Sequence, residues 1–264
     1  MGLMKNIKKV FNIGGIEITV DIHNESIRQG DEIRGKVIIW GGDYEQSGDS
    51  ILLELKEYWT ETRGTGNTRR TVTVYRERET VSLAGDFSVM PGFENTYSFS
   101  VTLPLNSRIS NSSEGWCLVV TLDIPKAIDP YDMVKLDVSP ARDLEAIVRS
   151  CENKLRFKEQ PDYRDWYKSD SSVYFRLIPP DDLKDKLDYL AFKLYLTADG
   201  DVRGSITYNL QEKSLGDYFK ALLGMDNVKK PFEIKKARLR DDSGKLNEDS
   251  VLELINPDIQ KIIN

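Results

Sequence analysis

The sequence contains little histidine and little cysteine, and this scarcity excludes several kinds of active site. His23 is the only histidine among 264 residues, so a zinc site built from several histidines is impossible. A Ser-His-Asp triad would have to use that residue, which stands on the polar side of an alternating segment, where a surface histidine is expected. The two cysteines, Cys117 and Cys151, are too few for a disulfide framework and fit a reducing compartment.

Long apolar runs are also missing. No stretch approaches the roughly 20 consecutive apolar residues that a membrane-spanning helix needs. The segment Met1–Phe11 lacks the continuous apolar core of a secretory signal, and Asn6 stands where a myristoylation signal has Ser or Thr. Met4, Ile7 and Phe11 share one face if this segment is helical, which predicts a short amphipathic segment docked on the core. We therefore expect a cytoplasmic protein with no integral membrane association.

Excess positive charge is absent as well. The chain has 37 Lys and Arg against 43 Asp and Glu, which gives a net charge of −6 and argues against a general affinity for nucleic acid or anionic lipid. Charged residues make up 30% of the chain and aromatic residues 9%, which is typical of a folded globular protein. At about 150 residues per domain, the length predicts two domains.

The first half of the chain alternates between apolar and polar residues with a period of two, as strands do when they bury one face. Ile16–His23 shows the pattern most clearly, and glycine or proline turns separate it from the segments that follow. Seven or eight such strands with little helix predict a β-sandwich over residues 1–138, with a closed barrel as the alternative. The other predicted strands are Ile33–Ile39, Ile51–Leu55, Thr71–Val81, Tyr97–Leu103, Trp116–Ile124 and Val134–Val138.

The second half, residues 139–264, mixes strands and helices. Pro140 disfavours helix at Ser139 and permits one to start just after it, and the apolar spacing of Leu144–Leu155 predicts that helix. A hairpin is predicted around the turn Ala198–Asp201, whose flanking segments alternate. The other expectations are a strand at Val173–Leu177, a short helix at Leu215–Leu223, a strand at Phe232–Ile234 and a helical tail at Val251–Ile262 interrupted by Pro257.

Two loops imitate ligand-binding motifs without completing them. Gly64-x-Gly66 lacks the third glycine of a dinucleotide fingerprint and lies between strands, so it predicts a hairpin loop. The segment Asp199–Leu210 imitates a calcium loop, but Arg203 stands at the fifth position and Leu210 at the twelfth, where oxygen ligands belong. We expect neither a nucleotide nor calcium at these loops.

Other candidate side chains have simpler structural interpretations. Cys151 lies on the apolar stripe of the predicted helix and is expected to be buried rather than catalytic. Trp59, Trp116 and Trp166 could form a sugar-binding platform, but Trp116 begins an alternating apolar row and is expected in the core. The acidic cluster Asp241, Asp242, Glu248 and Asp249 is expected in a solvated loop. The sequence therefore offers no catalytic residue, no metal site and no cofactor site.

Several segments together resemble a known family. The strand Ile16–His23, a turn at Gly30-Asp31 and the pattern Ile33-x-Gly35-x-Val37 resemble the opening of arrestin-like domains. Further segments, in the same order and spacing, are similar to the bacterial sporulation-control protein family over nearly the whole chain. These segments are Trp40-Gly41-Gly42, Ile51–Tyr58, Tyr97–Pro104, Trp116–Pro125, Ala127–Pro130, Leu155–Phe157, Leu187–Phe192, Asp199-Gly200 and Phe219–Met225.

The resemblance implies two arrestin-like β-sandwich domains, at 1–138 and 139–264, with a few short helices mostly in the second half. It also implies a cytoplasmic, non-enzymatic regulator of sporulation, or of another developmental or stress response, that acts by binding protein partners. Self-association into a homodimer is a further expectation, which rests on the open strand edges of a sandwich and not on the resemblance. Two other classes of function remain as alternatives: a carboxylate-based hydrolase, and a carbohydrate- or lipid-binding module on a sandwich scaffold.

The segment Thr71–Val81 is the predicted contact surface, with a solvated edge that binds no partner as the alternative. Arg76, Glu77, Arg78 and Glu79 follow one another, and a buried central strand would not tolerate such a run. An edge strand or protruding hairpin is therefore expected, and an edge strand leaves backbone groups with which another chain can pair.

Overall fold

The structure is a computed structural model that describes residues 7–13, 15–124, 131–167, 171–210, 227–241 and 247–263. The chain divides into two compact units. The first comprises Met1–Pro104 and Arg108–Ser139, and the second comprises Leu105–Ser107 and Pro140–Asn264.

The described part of the first unit consists of strands, connecting loops and a single 3₁₀ turn at Gly66–Thr68. In chain order the strands are β1 (Ile7–Ile13), β2 (Ile16–Ile22), β3 (Ile27–Arg28), β4 (Glu32–Trp40), β5 (Gln46–Gly48), β6 (Ser50–Arg63), β7 (Arg70–Ala84), β8 (Phe87–Val89), β9 (Glu94–Thr102), β10 (Glu114–Asp123), β11 (Tyr131–Leu136) and β12 (Val138–Ser139).

Two four-stranded antiparallel sheets, in the orders β1-β2-β4-β9 and β11-β10-β6-β7, form most of this unit. Strand β4 shows why the alternation predicts strands: Ile33, Gly35, Val37 and Ile39 are buried, whereas Arg34, Lys36 and Ile38 between them are more exposed. The inward residues of both sheets belong to one core, which includes the buried Trp116 indole. The alternating pattern thus leads to a sandwich, because each of the two sheets buries its apolar face in the shared core.

The expected helical character of the N-terminus is wrong from Ile7 onward, because Ile7–Ile13 is strand β1. Gly15, with φ of 86°, lies in the turn that returns the chain, and Ile13 then pairs with Ile16 and Ile7 with Ile22. A segment this short has little conformational preference of its own, so pairing with β2 decides its structure. Residues 1–6 lie outside the described part of the chain.

The second unit mixes strands and helices. Its described strands and α-helices are β13 (Lys158–Glu159), β14 (Asp165–Tyr167), β15 (Ser172–Ile178), β16 (Leu187–Leu196), β17 (Val202–Leu210), β18 (Asn227–Ile234), α1 (Arg142–Leu155), α2 (Lys236–Leu239) and α3 (Glu248–Ile263). The strands form a sheet in the order β13-β15-β16-β17-β18, with β14 also paired to β15. Helix α1 has the buried stripe that its spacing predicts, formed by Leu144, Ile147, Val148 and Cys151.

The prediction of a mainly β chain, with a few short helices mostly in the second half, is confirmed. The helix expected at Leu215–Leu223 lies outside the described residues. The expected interruption of the tail helix is wrong, because α3 continues through Pro257. Proline removes the hydrogen bond to the carbonyl of Glu253, but that residue is exposed, so water can satisfy the carbonyl.

We expect a fragment of residues 1–139 to fold without the rest of the chain. Its core includes inward residues of both four-stranded sheets, and β12 at its end pairs with β3 and accepts a hydrogen bond at the Ser139 carbonyl from Gln29 N–H (3.1 Å). Circular dichroism should show a β-type spectrum with a cooperative thermal transition. An aggregated or disordered fragment would contradict an independent first domain.

Candidate interaction surface

Strand β7 lies at the end of its sheet. It pairs with β6 from Arg63↔Arg70 to Ile51↔Ala84 and, among the described residues, with no other strand. The edge-strand expectation for Thr71–Val81 thus agrees with the structure, although the strand is longer than predicted. Closer to Ala84 the strand approaches β9, where the Glu79 carboxylate accepts a hydrogen bond from Thr102 N–H (3.4 Å). The half nearer the turn is therefore the part most available for pairing.

The β6–β7 hairpin extends beyond the rest of its sheet. The β10 register ends where Glu114 pairs with Trp59, so the last four residues of β6 lie past β10. Thr60 N–H still donates to the Ser113 carbonyl (3.0 Å), and the three residues after it pair with β7. The turn itself is well defined: the Thr68 hydroxyl donates to the Thr65 carbonyl (2.8 Å) and accepts from Thr65 N–H (3.2 Å). Gly64-x-Gly66 lies in this turn, as predicted, with φ of 92° at Gly64.

A buried ion cluster lies at the base of the hairpin extension. The Glu57 side chain, on a residue only 4% exposed, accepts hydrogen bonds from Arg78 Nη2 (2.6 Å) and Nε (3.1 Å) and from Arg108 Nε (2.9 Å). Arg108 is 3% exposed and also pairs with Glu114. Burial alone would raise the pKa of Glu57, but the hydrogen bonds and charges of the two arginines outweigh it and hold that pKa below its ordinary value.

The Trp59 ring contacts two arginines beside this cluster. The guanidinium carbons of Arg76 and Arg108 lie 5.3 and 5.4 Å from the ring centroid, within cation–π range. Trp59 Nε1 donates to the Glu61 carboxylate (2.7 Å). A side chain held in this way connects the hairpin to the body of the first unit. Glu57, Arg108 and this role of Trp59 were not predicted from the sequence.

The three tryptophans considered as a sugar platform have other surroundings. Trp116 is buried in the core of the first unit, and its Nε1 donates to the Arg108 carbonyl (2.9 Å). Trp166 is buried in the second unit. Trp59 is half-buried between arginines. The structure does not present these three rings as an exposed row.

The candidate nucleophiles are not activated. Burial raises the pKa of the Cys117 thiol to about 11 and that of the Cys151 thiol further, so both remain protonated at neutral pH. Cys151 lies on the buried face of α1, as predicted, and His23 is exposed. Within the ranges that the structure describes, no group of three His, Cys, Asp or Glu side chains could hold a metal ion.

The calcium-like segment is a hairpin. Leu196 pairs with Val202 across a turn that contains Gly200, with φ of 81°. The Asp201 carboxylate accepts hydrogen bonds from Lys236 N–H and Lys235 Nζ, both at 2.9 Å, so protein donors occupy the oxygens that a cation would need. In the acidic cluster, Asp241 is exposed, Glu248 and Asp249 begin α3, and Asp242 lies outside the described residues.

Comparison with known proteins identifies relatives of this chain. The family model described as SpoOM protein (Spo0M) matches residues 4–193. The sporulation-control protein Spo0M of Bacillus subtilis strain 168 is 26% identical over 153 residues, which cover 58% of this chain and 58% of that relative's length.

A solved structure has a similar fold. The crystal structure of Spo0M, sporulation control protein, from Bacillus subtilis matches with a TM-score of 0.61 and 19% identity over 95% of this chain and all of that one. This match shows the fold, and the arrestin-like fold class predicted from the sequence is confirmed. In the described parts of the chain, no helix combines the length and apolar character needed to cross a bilayer.

Proposed function

The chain belongs to the SpoOM protein family, and we propose that it is a cytoplasmic, non-enzymatic regulator that takes part in sporulation control, or a related developmental or stress response, by binding protein partners. The sporulation-control name of the Bacillus subtilis relative supports the process. The two buried, unpaired thiols support a reducing compartment. Their raised pKa values favour action by contact over thiol chemistry.

The observation that carries this proposal is the edge of β7. A strand of 15 residues lies at the end of its sheet, and its first four residues, Arg70–Thr73, belong to a hairpin that extends past β10. Val72 and Val74 favour extended backbone, while the charged run Arg76–Glu79 discourages indiscriminate pairing. Such an edge suits a selective, reversible contact in which a partner strand, or β7 of a second copy, adds to the sheet.

A proline scan of Thr71, Val72, Thr73 and Val74 tests this edge. Successive residues of an antiparallel strand turn their N–H groups alternately toward the paired neighbour and away from it. Proline at the two positions that face β6 should remove a ladder bond and destabilise the fold by about 1–3 kcal/mol. Proline at the two outward positions should leave the thermal midpoint nearly unchanged, yet abolish partner recovery or self-association.

The two sets of positions are matched controls for each other. The readouts are the thermal midpoint, the sedimentation coefficient, and quantitative mass spectrometry of proteins cross-linked to the full chain in native cells. If the outward proline variants keep both the wild-type sedimentation coefficient and the wild-type set of partners, the contact surface lies elsewhere.

A further inference from the structure

Four large apolar residues are exposed in two neighbouring loops of the first unit. We call them the loop patch, and each is between 42% and 79% exposed. Single exposed apolar residues are common on protein surfaces, whereas a group of them marks an interaction site. The loop patch consists of Trp40 at the end of β4, Tyr44 in the loop between β4 and β5, and Met90 and Phe93 in the loop between β8 and β9.

Strand pairing holds the two loops side by side. Trp40 pairs with Glu94 where β4 meets β9, and Gln46 pairs with Val89 where β5 meets β8. Only five residues lie between these two pairs on the first loop and four on the second. Loops this short and fixed at both ends cannot move far apart, so the members of the loop patch stay close together.

The two loops are also bonded to each other through their backbones. Gly41 N–H donates to the Phe93 carbonyl (2.9 Å), and Gly92 N–H donates to the Gly41 carbonyl (3.2 Å). A Cβ atom at Gly41 would lie 1.9 Å from the Met90 carbonyl oxygen, so a glycine is required for this close approach. Because these backbone groups are already paired, a partner at the loop patch is held by side chains and not by the strand addition proposed for β7.

Exposed carboxylates surround the loop patch. Two of the acidic residues are the cross-strand neighbours of Trp40, and two flank Tyr44 in the sequence. Among the described residues, none of the four forms an ion pair with a lysine or an arginine, and neither loop contains a basic residue. Their negative charges are therefore not compensated. The four residues are Glu17, Asp43, Glu45 and Glu94, and all are exposed.

This charge selects among the possible occupants of the loop patch. An anionic lipid surface, such as that of a cytoplasmic leaflet, would be repelled by four carboxylates. A second copy of the chain would bring the same carboxylates to a symmetric contact, where like charges oppose each other. A protein segment that carries lysine or arginine beside apolar side chains complements both the carboxylates and the apolar residues.

We propose that the loop patch binds a basic amphipathic segment of a partner protein. Aromatic residues and methionine are enriched at protein interfaces, and three of the four residues in the patch are aromatic. They supply the apolar contact, while the surrounding carboxylates orient the basic side chains of the partner and speed its association. This contact uses residues other than those of the β7 edge, so either surface can fail its test without the other.

Fluorescence anisotropy with labelled peptides and the full chain tests the proposal. The probe is an amphipathic peptide of about 18 residues, long enough to form a helix, with leucines on one face and lysines on the other. One comparison peptide has glutamate in place of each lysine, and a second has serine in place of each leucine. We expect the first peptide to bind in the micromolar range and both others to bind at least about tenfold more weakly. Added salt should weaken the binding of the first peptide.

Substitutions locate the binding at the loop patch. Tyr44→Ser and Phe93→Ser should each weaken binding of the lysine peptide by about tenfold, with an unchanged thermal midpoint because both side chains are exposed. Tyr163→Ser removes an exposed ring from the second unit and should leave the affinity unchanged.

A second pair of variants tests the carboxylates. Glu17→Gln/Asp43→Asn should weaken binding of the lysine peptide by about tenfold and reduce its salt dependence. Glu25→Gln/Asp137→Asn removes the same two charges from exposed residues outside the loop patch and should change little.

Several results would overturn the proposal. One is binding of the glutamate peptide as tightly as the lysine peptide, and another is equal affinity in Tyr44→Ser, Phe93→Ser and Tyr163→Ser. Cosedimentation with phosphatidylcholine vesicles that Tyr44→Ser abolishes would assign the loop patch to a lipid surface instead. Self-association of the full chain that Tyr44→Ser abolishes would assign it to a second copy.

Discussion

Arg108→Ala is expected to destabilise the first unit by about 3–5 kcal/mol, because it leaves the Glu57 carboxylate buried with one of its two arginine partners removed. The substitution deletes the 2.9 Å hydrogen bond to Glu57, the pair with Glu114 and the guanidinium beside Trp59. Arg78 remains on the other Glu57 oxygen, but its side chain is 40% exposed, so it cannot replace an arginine that is fully enclosed.

Arg63→Ala is the matched control for this variant. Arg63 pairs with Glu61 at 3.2 Å, but its side chain is 59% exposed, and such surface pairs contribute about 0–1 kcal/mol. Urea denaturation followed by tryptophan fluorescence should separate the two variants clearly. Equal losses in Arg108→Ala and Arg63→Ala would show that the buried cluster adds nothing to stability.

The same cluster predicts a pH dependence. The folded protein holds the pKa of Glu57 below the ordinary glutamate value of 4.5, so its stabilising contribution is fully present above that value and is lost as pH falls through the folded pKa. Glu57→Gln should therefore show a smaller loss of stability below about pH 4.5 than wild type does. If the stability of the variant falls as steeply below about pH 4.5 as that of wild type, the lowered pKa of Glu57 is contradicted.

The cluster also shows where sequence reasoning stops. Glu57 has the same parity in β6 as the buried residues Leu53 and Leu55. The alternation therefore indicates an inward carboxylate, and this position could have been predicted from the sequence. Its partner Arg108 comes 51 residues later, in the loop between β9 and β10, and only the sandwich brings the two together. Periodicity fixes which face a side chain takes, whereas the partner on that face depends on topology.

Strand positions were predicted well wherever one face is buried, as in β2, β4 and β10, because burial imposes the period of two. Strand β1 was not predicted, since a seven-residue segment takes its structure from the strand that it joins. Cross-strand neighbours could not be predicted for a related reason. Lys193, Ser205 and Pro231 form no motif in the sequence, and only the register of three strands makes them neighbours.

Gly35→Ala is expected to cost about 3 kcal/mol, near the upper end of what overpacking a core usually costs. Gly35 stands in the middle of β4, where it pairs with Ile22 on one side and Phe99 on the other. A Cβ atom there would lie 2.4 Å from the Asp21 carbonyl oxygen and 2.6 Å from Cζ of the Phe99 ring. The glycine in the pattern Ile33-x-Gly35-x-Val37 is thus required by close packing, not by a turn.

The control variant Gly85→Ala and the double variant Gly35→Ala/Phe99→Leu test whether the expected cost at Gly35 arises from close packing. A Cβ atom at Gly85 would have open space around it, with no heavy atom within 4 Å, so this substitution should change stability by no more than about 0.5 kcal/mol. Phe99→Leu removes the ring atoms nearest Gly35, so Gly35→Ala should cost less in that background than in wild type. The cost that persists there measures the clash with the Asp21 carbonyl, which no side-chain change relieves. Chemical denaturation of the four variants gives all these free energies of unfolding. If Gly35→Ala loses no more stability than Gly85→Ala, then β4 and its neighbours can shift to accommodate the added methyl group at little cost.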